Sequence, residues 1–210
     1  MVDASQQKLD ALQARIIADN VCPELRVQAT QLVMGQGNPQ ANIVLVGEAP
    51  GKAEDTHGVP FVGASGRFLN EMLAAAGMER DDVYITNIVK YRPPNNRDPS
   101  PAEKAAFWPY LLQQLAIIQP KIIVTLGRHS GSAFIPELQL TRDHGRLKVA
   151  RVDGYKASGE RKSTQSEDAA SLLVVPLYHP AAALYNGSLR QTLIDDFCTL
   201  AHLSISVDAA

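Results

Sequence analysis

IVLVGEAPG at residues 43–51 joins a short apolar run to a turn that contains a carboxylate. A buried parallel strand has this kind of continuous, β-branched run. The glycines and the proline around Glu48 end the strand and favour a site over a continued core. Because ligands of open α/β sheets bind at the carboxyl ends of the strands, the stretch predicts a strand that delivers Glu48 to a binding crevice.

Three further apolar runs end at a polar residue or a glycine: 83–86 at Asn87, 122–126 at Gly127, and 173–178 at His179. Helical patterns alternate with these runs, at 4–19, 66–76, 101–118 and 188–203. This alternation predicts an α/β fold with a parallel sheet and helices on both faces. If the strands are parallel, Glu48, Asn87 and His179 converge on one edge of the sheet.

The helix boundaries are also predicted by local signals. Ser65 is the expected N-cap of the second helix, which ends at Gly77. Ser100 and Pro101, with Glu103 in the first turn, indicate the start of the third helix.

Composition limits the classes of protein to consider. The 210 residues, 45% of them hydrophobic, suit one domain over 1–210 with a substantial core. No apolar stretch is long enough to span a membrane, and the polar first 20 residues predict an amphipathic helix rather than a signal peptide. Two cysteines suit a reducing cytoplasm. A net charge of -2 neither indicates nor excludes a nucleic-acid partner.

Residues 141–168 are polar, contain glycine and are rich in basic side chains. We expect a surface insert, a ribbon followed by a flexible loop. It is either a solvated loop or an arm that contacts phosphates, and the sequence leaves both interpretations open.

Phe61 lies between two turns in GVPFVG, residues 58–63, where it cannot join a regular helix or strand. It either plugs the core or offers a flat face to a flat ligand such as a nucleobase. Asn87 is either a turn former or an amide that bonds to the edge of a base. The basic, proline-rich segment 88–99 that follows is either a structural loop or a clamp on a phosphate backbone.

His179 is either a structural residue or a neutral donor to an oxygen that gains negative charge, since an ordinary imidazole has a pKa of about 6.5. The small residues after it lead to Leu184 and Tyr185, which suit a protrusion that wedges a base step.

Taken in order, these motifs resemble the uracil-DNA glycosylase superfamily, and most closely its family 4. The resemblance runs from about Cys22 to Phe197. It rests on four pieces: GEAPG (47–51), GVPFVGASGRFL (58–69), ITNIVKYRPPNNRDPSP (85–101) and YHPAAALY (178–185).

The resemblance implies a three-layer α/β/α sandwich around a four-stranded parallel sheet. It also implies an enzyme of DNA repair that flips uracil out of single- and double-stranded DNA and hydrolyses its N-glycosidic bond, leaving an abasic site. Glu48 would then orient the water, with Asp55 in reserve, and His179 would bond uracil O2. Phe61 would stack on uracil and Asn87 would bind its polar edge.

The remaining expected contacts follow the same motifs. The residues expected to line the uracil pocket beside Phe61 and Asn87 are Gly47, Ala49, Pro50 and Gly51. The residues expected to contact DNA are Lys90, Arg92, Arg97, Arg128, Pro180, Ala181, Ala182, Leu184 and Tyr185.

The sequence departs from family 4 at the cysteines that hold a four-iron cluster in that family. Cys22 matches the second cysteine, whereas Asp19, Tyr91 and Phe107 occupy the other three positions. Because such a cluster needs thiolate ligands, we expect a member without cofactor or metal. Tyr91, Phe107 and Trp108 are expected to fill the volume instead.

Two further departures concern other families. In family 1, a catalytic Asp stands where this chain has Ala49, and a thymine-excluding Tyr stands where it has Gly51. The carboxylate role therefore falls to Glu48, and thymine must be rejected by other residues. The loop 92–101 lacks the histidine of a relative that traps DNA covalently, so trapping is disfavoured.

Other functional classes remain as alternatives. The chain could be a non-catalytic or broader-specificity binder of deaminated bases with the same fold. A nucleotide-using α/β enzyme is disfavoured, because neither a Walker lysine nor GxGxxG follows the first strand. We expect a monomer with DNA as its partner and no contact with a membrane.

Overall fold

The computed structural model describes residues 3–152 and 171–208, with side chains described as far as residue 201. Its strands are β1 (Gln36–Gly37), β2 (Ile43–Gly47), β3 (Tyr84–Asn87), β4 (Ile122–Leu126), β5 (Lys148–Arg151) and β6 (Ser171–Leu177). Its helices are α1 (Ala4–Ala18), α2 (Pro23–Arg26), α3 (Lys52–His57), α4 (Ala64–Ala75), α5 (Pro101–Ile118), α6 (Arg128–Phe134), α7 (Leu140–Asp143), α8 (Pro180–Tyr185) and α9 (Leu189–Asp208). Short 3-10 turns occupy Arg80–Asp82 and Pro94–Asn96.

The sheet has the strand order β1-β3-β2-β4-β6-β5. The four predicted strands β3, β2, β4 and β6 are parallel neighbours, as expected. Two antiparallel edge strands, β1 and β5, extend the described sheet to six strands rather than four. The chain reverses its direction of progress across the sheet between β2 and β4. Crevices at such switch points bind ligands in open α/β sheets.

Two apolar layers cover the sheet, because successive strand residues point to opposite faces. Val44 and Val46 of β2 belong to a core cluster that includes Leu12 of α1 and Leu111 of α5. The alternate residues of the same strand belong to a second cluster. That cluster includes Phe68, Leu69 and Met72 of α4 and Leu193 and Phe197 of α9. This is the α/β/α sandwich that the sequence predicts.

The capping signals have different outcomes at two helices. At α5, the Ser100 side chain accepts the Glu103 N–H and the Glu103 carboxylate accepts the Ser100 N–H, so the predicted start is confirmed. The prediction of Ser65 as the N-cap of α4 is wrong, because Gly63 holds that position and the helix begins at Ala64. The Glu54 carboxylate accepts the Gly63 N–H, so the N-cap lies two residues before the predicted Ser65.

Part of the expected insert 141–168 belongs to the sheet, as β5, which pairs with β6. The Asp143 carboxylate is buried and forms ion pairs with Arg142 and Lys148, so two of the basic residues there have a partner within the protein. Residues 153–168 lie outside the described part of the chain. In the part that is described, no helix is both long and apolar enough to cross a membrane, and both cysteines are free.

Candidate active site

A cavity of about 590 Å³ opens at the carboxyl ends of the parallel strands. This volume is within the usual range of about 300–1,000 Å³ for small-molecule sites. Glu48 after β2, Asn87 at the end of β3 and His179 after β6 all line it. The structure therefore brings together side chains that lie as many as 131 residues apart in the sequence (179 minus 48). Ala49, Pro50, Gly51 and Phe61 line the same cavity.

His179 is held in one tautomer by the start of α8. The backbone N–H of Ala181 donates to His179 Nδ1 at 3.1 Å, so that nitrogen has no proton and Nε2 carries it. Burial lowers the pKa of His179 to about 4. At neutral pH the residue is therefore an uncharged imidazole with one N–H to donate. Its ring lies 5.6 Å from the Phe61 ring, centroid to centroid.

The Asn87 side chain is nearly fully buried, and its amide oxygen accepts no hydrogen bond from the described residues. Gly47 allows this amide to sit close to β2, because a Cβ there would lie 2.3 Å from Asn87 Oδ1 and 2.8 Å from Phe61 Cζ. An orphaned acceptor in a cavity is costly unless a ligand supplies the donor. Gly47 does not line the cavity itself but shapes its floor.

Phe61 adopts a left-handed backbone conformation, with φ of 51°, which is unfavourable for an aromatic residue. Two charged groups hold this turn. The Arg80 guanidinium donates to the carbonyls of Pro60 and Phe61, and the Glu54 carboxylate accepts the N–H groups of Val62 and Gly63. The ring is thereby fixed in the wall of the cavity, 5% exposed.

The prediction that Lys90 contacts DNA is wrong, because its side chain is fully buried. Its ammonium donates to Thr86 Oγ1 at 2.6 Å, to Asn87 O at 2.7 Å and to Gln114 Oε1 at 2.6 Å. Burial lowers the pKa of Lys90 to about 7. The residue braces the backbone of Asn87 from behind, where no phosphate can reach it.

The prediction that Asp55 is the reserve catalytic carboxylate is wrong. Its side chain is buried away from the cavity and accepts the Thr30 N–H at 2.8 Å and the Thr30 hydroxyl at 2.9 Å. It joins α3 to the segment before β1. Glu48 and Glu54 are the glutamates that line the cavity instead.

The remaining DNA-contact candidates lie at or near the mouth of the cavity, with one exception. Arg97 and Arg128 line it and are exposed, although Arg97 also forms an ion pair with Glu103 at 2.6 Å. Arg92 is half-buried and donates to Asn96 at 2.7 Å. Pro180, the first residue of α8, is buried and cannot reach DNA, which corrects a third prediction.

Helix α8 projects from the rim of the cavity. Ala181 lines the cavity and Ala182 is half-buried beside it. At the far end, Leu184 is 48% exposed and Tyr185 is 93% exposed. An aromatic side chain so exposed at the edge of a cavity suits contact with a partner.

Lys104 and His129 also reach Glu48, and neither residue is singled out by the sequence. Lys104 Nζ lies 3.0 Å from Glu48 Oε1, and His129 Nδ1 lies 3.6 Å from the same oxygen. Glu48, Asp98 and His129 have potential ligand atoms within 4.8 Å of one another. The Lys104 ammonium already supplies a positive charge at Glu48, so we do not assign a metal to this trio.

The sequence model that describes the uracil DNA glycosylase superfamily matches residues 34–198, a span that contains Glu48, Asn87 and His179. The chain belongs to the uracil-DNA glycosylase superfamily. The resemblance seen in the motifs is thereby confirmed, and the cavity lies at the switch point of a uracil-DNA glycosylase fold.

Curated relatives in this superfamily cover most of the chain. The type-4 uracil-DNA glycosylase of Sulfurisphaera tokodaii is 43% identical over 199 residues, which are 94% of this chain and 86% of that protein. The type-4 uracil-DNA glycosylase of Archaeoglobus fulgidus is 42% identical over 199 residues, 94% of each chain. That of Saccharolobus solfataricus is 43% identical over 171 residues, 79% of this chain and 72% of that protein.

The residues at the four cluster positions of this uracil-DNA glycosylase superfamily member do not fit an iron–sulfur cluster. Burial, together with nearby carboxylates, raises the pKa of the Cys22 thiol to about 11, which disfavours the thiolate that iron requires. Asp19 accepts a hydrogen bond from Tyr110 at 2.6 Å. Tyr91 and Phe107 are buried and meet edge to face, with centroids 5.9 Å apart.

Trp108, the third aromatic residue expected to fill this volume, lies one position further along α5 and therefore on another face of the helix. Its ring packs edge to face on Phe134 of α6, with centroids 5.0 Å apart. Aromatic packing at the cluster positions thus comes from Tyr91 and Phe107.

Proposed function

We propose that this chain is a monofunctional uracil-DNA glycosylase, which excises uracil and leaves an abasic site. The observation that carries the proposal is the cavity in which an orphaned amide acceptor, a neutral imidazole and a carboxylate face one another beside an aromatic ring. The names of the type-4 relatives support the same substrate.

Asn87 is the group that selects uracil. Uracil presents an N3–H donor next to the O4 acceptor, which matches the free Oδ1 and the NH₂ of the Asn87 amide. Cytosine has an acceptor at N3 and a donor at C4, so the same amide would oppose it. A base that leaves a buried polar group unpaired is rejected by a large factor, about 10⁴–10⁵ in comparable sites.

His179 stabilises the leaving group. When the bond between C1′ and N1 breaks, its electron pair stays on uracil, and negative charge appears on O2. An N–H fixed in advance at that oxygen favours this charge without reorganisation. The Nε2–H of His179 suits this role, because Nδ1 is already engaged by Ala181. Phe61 stacks on the flat ring from a wall that is held by Arg80 and Glu54.

Glu48 acts on the sugar side of the bond. Its carboxylate stabilises the positive charge that develops on the deoxyribose ring and orients the water that adds to C1′. The proton released by this water passes to Glu48 and then to solvent. No covalent bond between enzyme and sugar is required, which agrees with the absence of a histidine in loop 92–101.

DNA reaches this cavity by extrusion of the base, which costs a few kcal/mol in duplex DNA and least in single strands or mismatches. We propose that Leu184 and Tyr185 enter the stack as the base leaves, while Arg97, Arg128 and Arg92 approach the backbone. Activity on single-stranded DNA and on U·G pairs follows from this energy difference.

We propose further that the enzyme is a cytoplasmic monomer that works without a cofactor. The single, half-buried thiol and the aromatic pair at the cluster positions support the absence of an iron–sulfur cluster. The whole chain, 1–210, would act as one domain, whose sheet includes β5 from the segment 141–168.

The test is an excision assay on end-labelled oligonucleotides that contain one uracil, followed by alkaline cleavage of abasic sites. Glu48→Gln, Asn87→Ala and His179→Ala should each slow excision by about 10²–10³, the loss seen for one preorganised group in comparable sites. The matched control is His57→Ala, at an exposed histidine of α3. If all three site variants keep full activity, the assignment is wrong.

The alternative is a binder of deaminated bases that does not turn them over, or one with broader specificity. The same assay distinguishes these functions when the oligonucleotides carry hypoxanthine or xanthine in place of uracil. Tight binding without abasic sites in any of them would favour the non-catalytic function.

A further inference from the structure

The Glu48 carboxylate is approached on one oxygen by two basic side chains. Lys104 of α5 lies 3.0 Å from Oε1 through Nζ, and His129 of α6 lies 3.6 Å from it through Nδ1. Oε1 is buried, and no described residue forms a hydrogen bond of normal geometry with it. Both ion pairs of Glu48 with described residues are therefore made through the same oxygen.

His129 connects Glu48 to the loop between β3 and α5. Its other nitrogen, Nε2, lies 3.3 Å from Asp98 Oδ2, so one imidazole lies between two carboxylates. The Lys104 ammonium lies 3.5 Å from His129 Nδ1, which completes a compact cluster of two acids and two bases. The side chains of Glu48, Lys104 and His129 are 19%, 25% and 34% exposed, so solvent screens these contacts only in part.

We propose that Lys104 and His129 are positioning residues that fix the catalytic carboxylate through Oε1 and leave Oε2 for the water. Asp98 in turn holds the His129 ring. The proposal rests on the function proposed above for Glu48. A nearby positive charge favours the ionised carboxyl group, and two contacts on one oxygen restrict its rotation.

Glu48 has charged neighbours on every side of the cavity. The charged and titratable groups that line the cavity or contact Glu48 come from every wall: Glu54 of α3, Arg97 and Asp98 of the loop, Lys104 of α5, Arg128 and His129 of α6, and His179 before α8. Of these, Lys104 and His129 are the two in direct ion-pair contact with the Glu48 carboxylate. Loss of the Lys104 charge should therefore leave His129 as the remaining described ion-pair partner of Glu48.

The experiment measures single-turnover excision at saturating single-stranded DNA from pH 5 to 9. Lys104→Met should lower the maximal rate about tenfold or more and leave the apparent dissociation constant for DNA within about twofold. Lys104→Arg, which keeps the charge, should restore most of the rate. The control is Lys8→Met, which removes an exposed charge on α1 far from the site and should leave both quantities unchanged.

A double-mutant cycle separates a positioning role from a phosphate contact. If Lys104 acts through Glu48, Lys104→Met should have little further effect on the rate in a Glu48→Gln background. If it only binds DNA, Lys104→Met should weaken DNA binding equally in both backgrounds and leave the saturated single-turnover rate unchanged, which would overturn the inference. His129→Gln should slow the saturated rate as well, by a smaller factor.

The two proposals fail in distinguishable ways. A wild-type protein that does not excise uracil contradicts the proposed function. A wild-type protein that does excise uracil, with a slow Glu48→Gln variant and a fully active Lys104→Met variant, contradicts only the positioning role. Thermal unfolding of each variant identifies those that have lost their fold.

Discussion

Replacement of Lys90 by methionine should change how the stability of the protein depends on pH. Lys90 is fully buried, and its three recorded partners, Thr86, Gln114 and the Asn87 carbonyl, carry no charge. Methionine has similar length and flexibility but no group that titrates. Lys90→Met therefore removes the ionisation of this site while it keeps most of the packing.

The sign follows from the two pKa values of the lysine. Burial lowers the pKa of Lys90 in the folded protein to about 7, from 10.5 in an ordinary lysine. Between these values the unfolded chain holds a proton that the folded protein has lost, so the free energy of unfolding rises with pH across this window. The slope is about half of 1.4 kcal/mol per pH unit at pH 7 and approaches this full value above pH 8, which gives about 2 kcal/mol from pH 7 to pH 9.

Urea unfolding of both proteins at pH 6, 7, 8 and 9 measures this effect. All other groups titrate alike in the two proteins, so they cancel in the difference. The stability of Lys90→Met relative to wild type should fall by about 2 kcal/mol from pH 7 to pH 9 and level off below pH 6. A part of the stability difference that does not depend on pH comes from the lost hydrogen bonds of Lys90, about 1 kcal/mol each. A difference independent of pH would refute the reasoning, because Lys90 would then stay charged when buried.

Three other predictions concern the site and its rim. Because burial lowers the pKa of His179 to about 4, its Cε1–H signal in proton NMR, assigned by its loss in His179→Gln, should not move between pH 8 and 5.5; a midpoint near 6.5 would contradict this. Gly66→Ala should destabilise the protein by about 1–3 kcal/mol in urea unfolding, since the added Cβ would lie 1.8 Å from Phe61 O. Gly187→Ala, whose Cβ meets nothing within 4 Å, is its control, and equal stabilities would oppose the argument. Tyr185→Ala should slow excision from duplex DNA more than from single strands and leave thermal stability unchanged, because the ring is 93% exposed; an equal effect on both substrates would exclude a wedge.

The parallel strands and the meeting of Glu48, Asn87 and His179 were predictable because each depends on a local signal. An apolar run that ends at a glycine or a polar residue marks the carboxyl end of a strand, and parallel strands share that edge. The edge strand β1 could not be predicted in this way, because Gln36 and Gly37 are too short a stretch to show alternating apolar and polar residues. They pair because β3 offers a free edge.

The errors at Lys90 and Asp55 have a common physical origin. A charged residue in a polar segment is normally exposed, and only distant partners such as Gln114 and Thr30 make burial possible. Lys104 and His129 were missed for the same reason. Neither residue belongs to a motif that the sequence analysis found, and only the tertiary fold brings both to Glu48.

Helix α8 carries the imidazole at one end and the protruding tyrosine at the other. His179 accepts the Ala181 N–H as the cap of the helix, and Tyr185 is its last residue. Six residue steps along a helix span only about 9 Å, so one short helix holds the two side chains at a fixed, short separation. Under the proposed function, a duplex that Tyr185 cannot enter also keeps His179 from uracil O2, so that α8 couples extrusion of the base to cleavage of its bond.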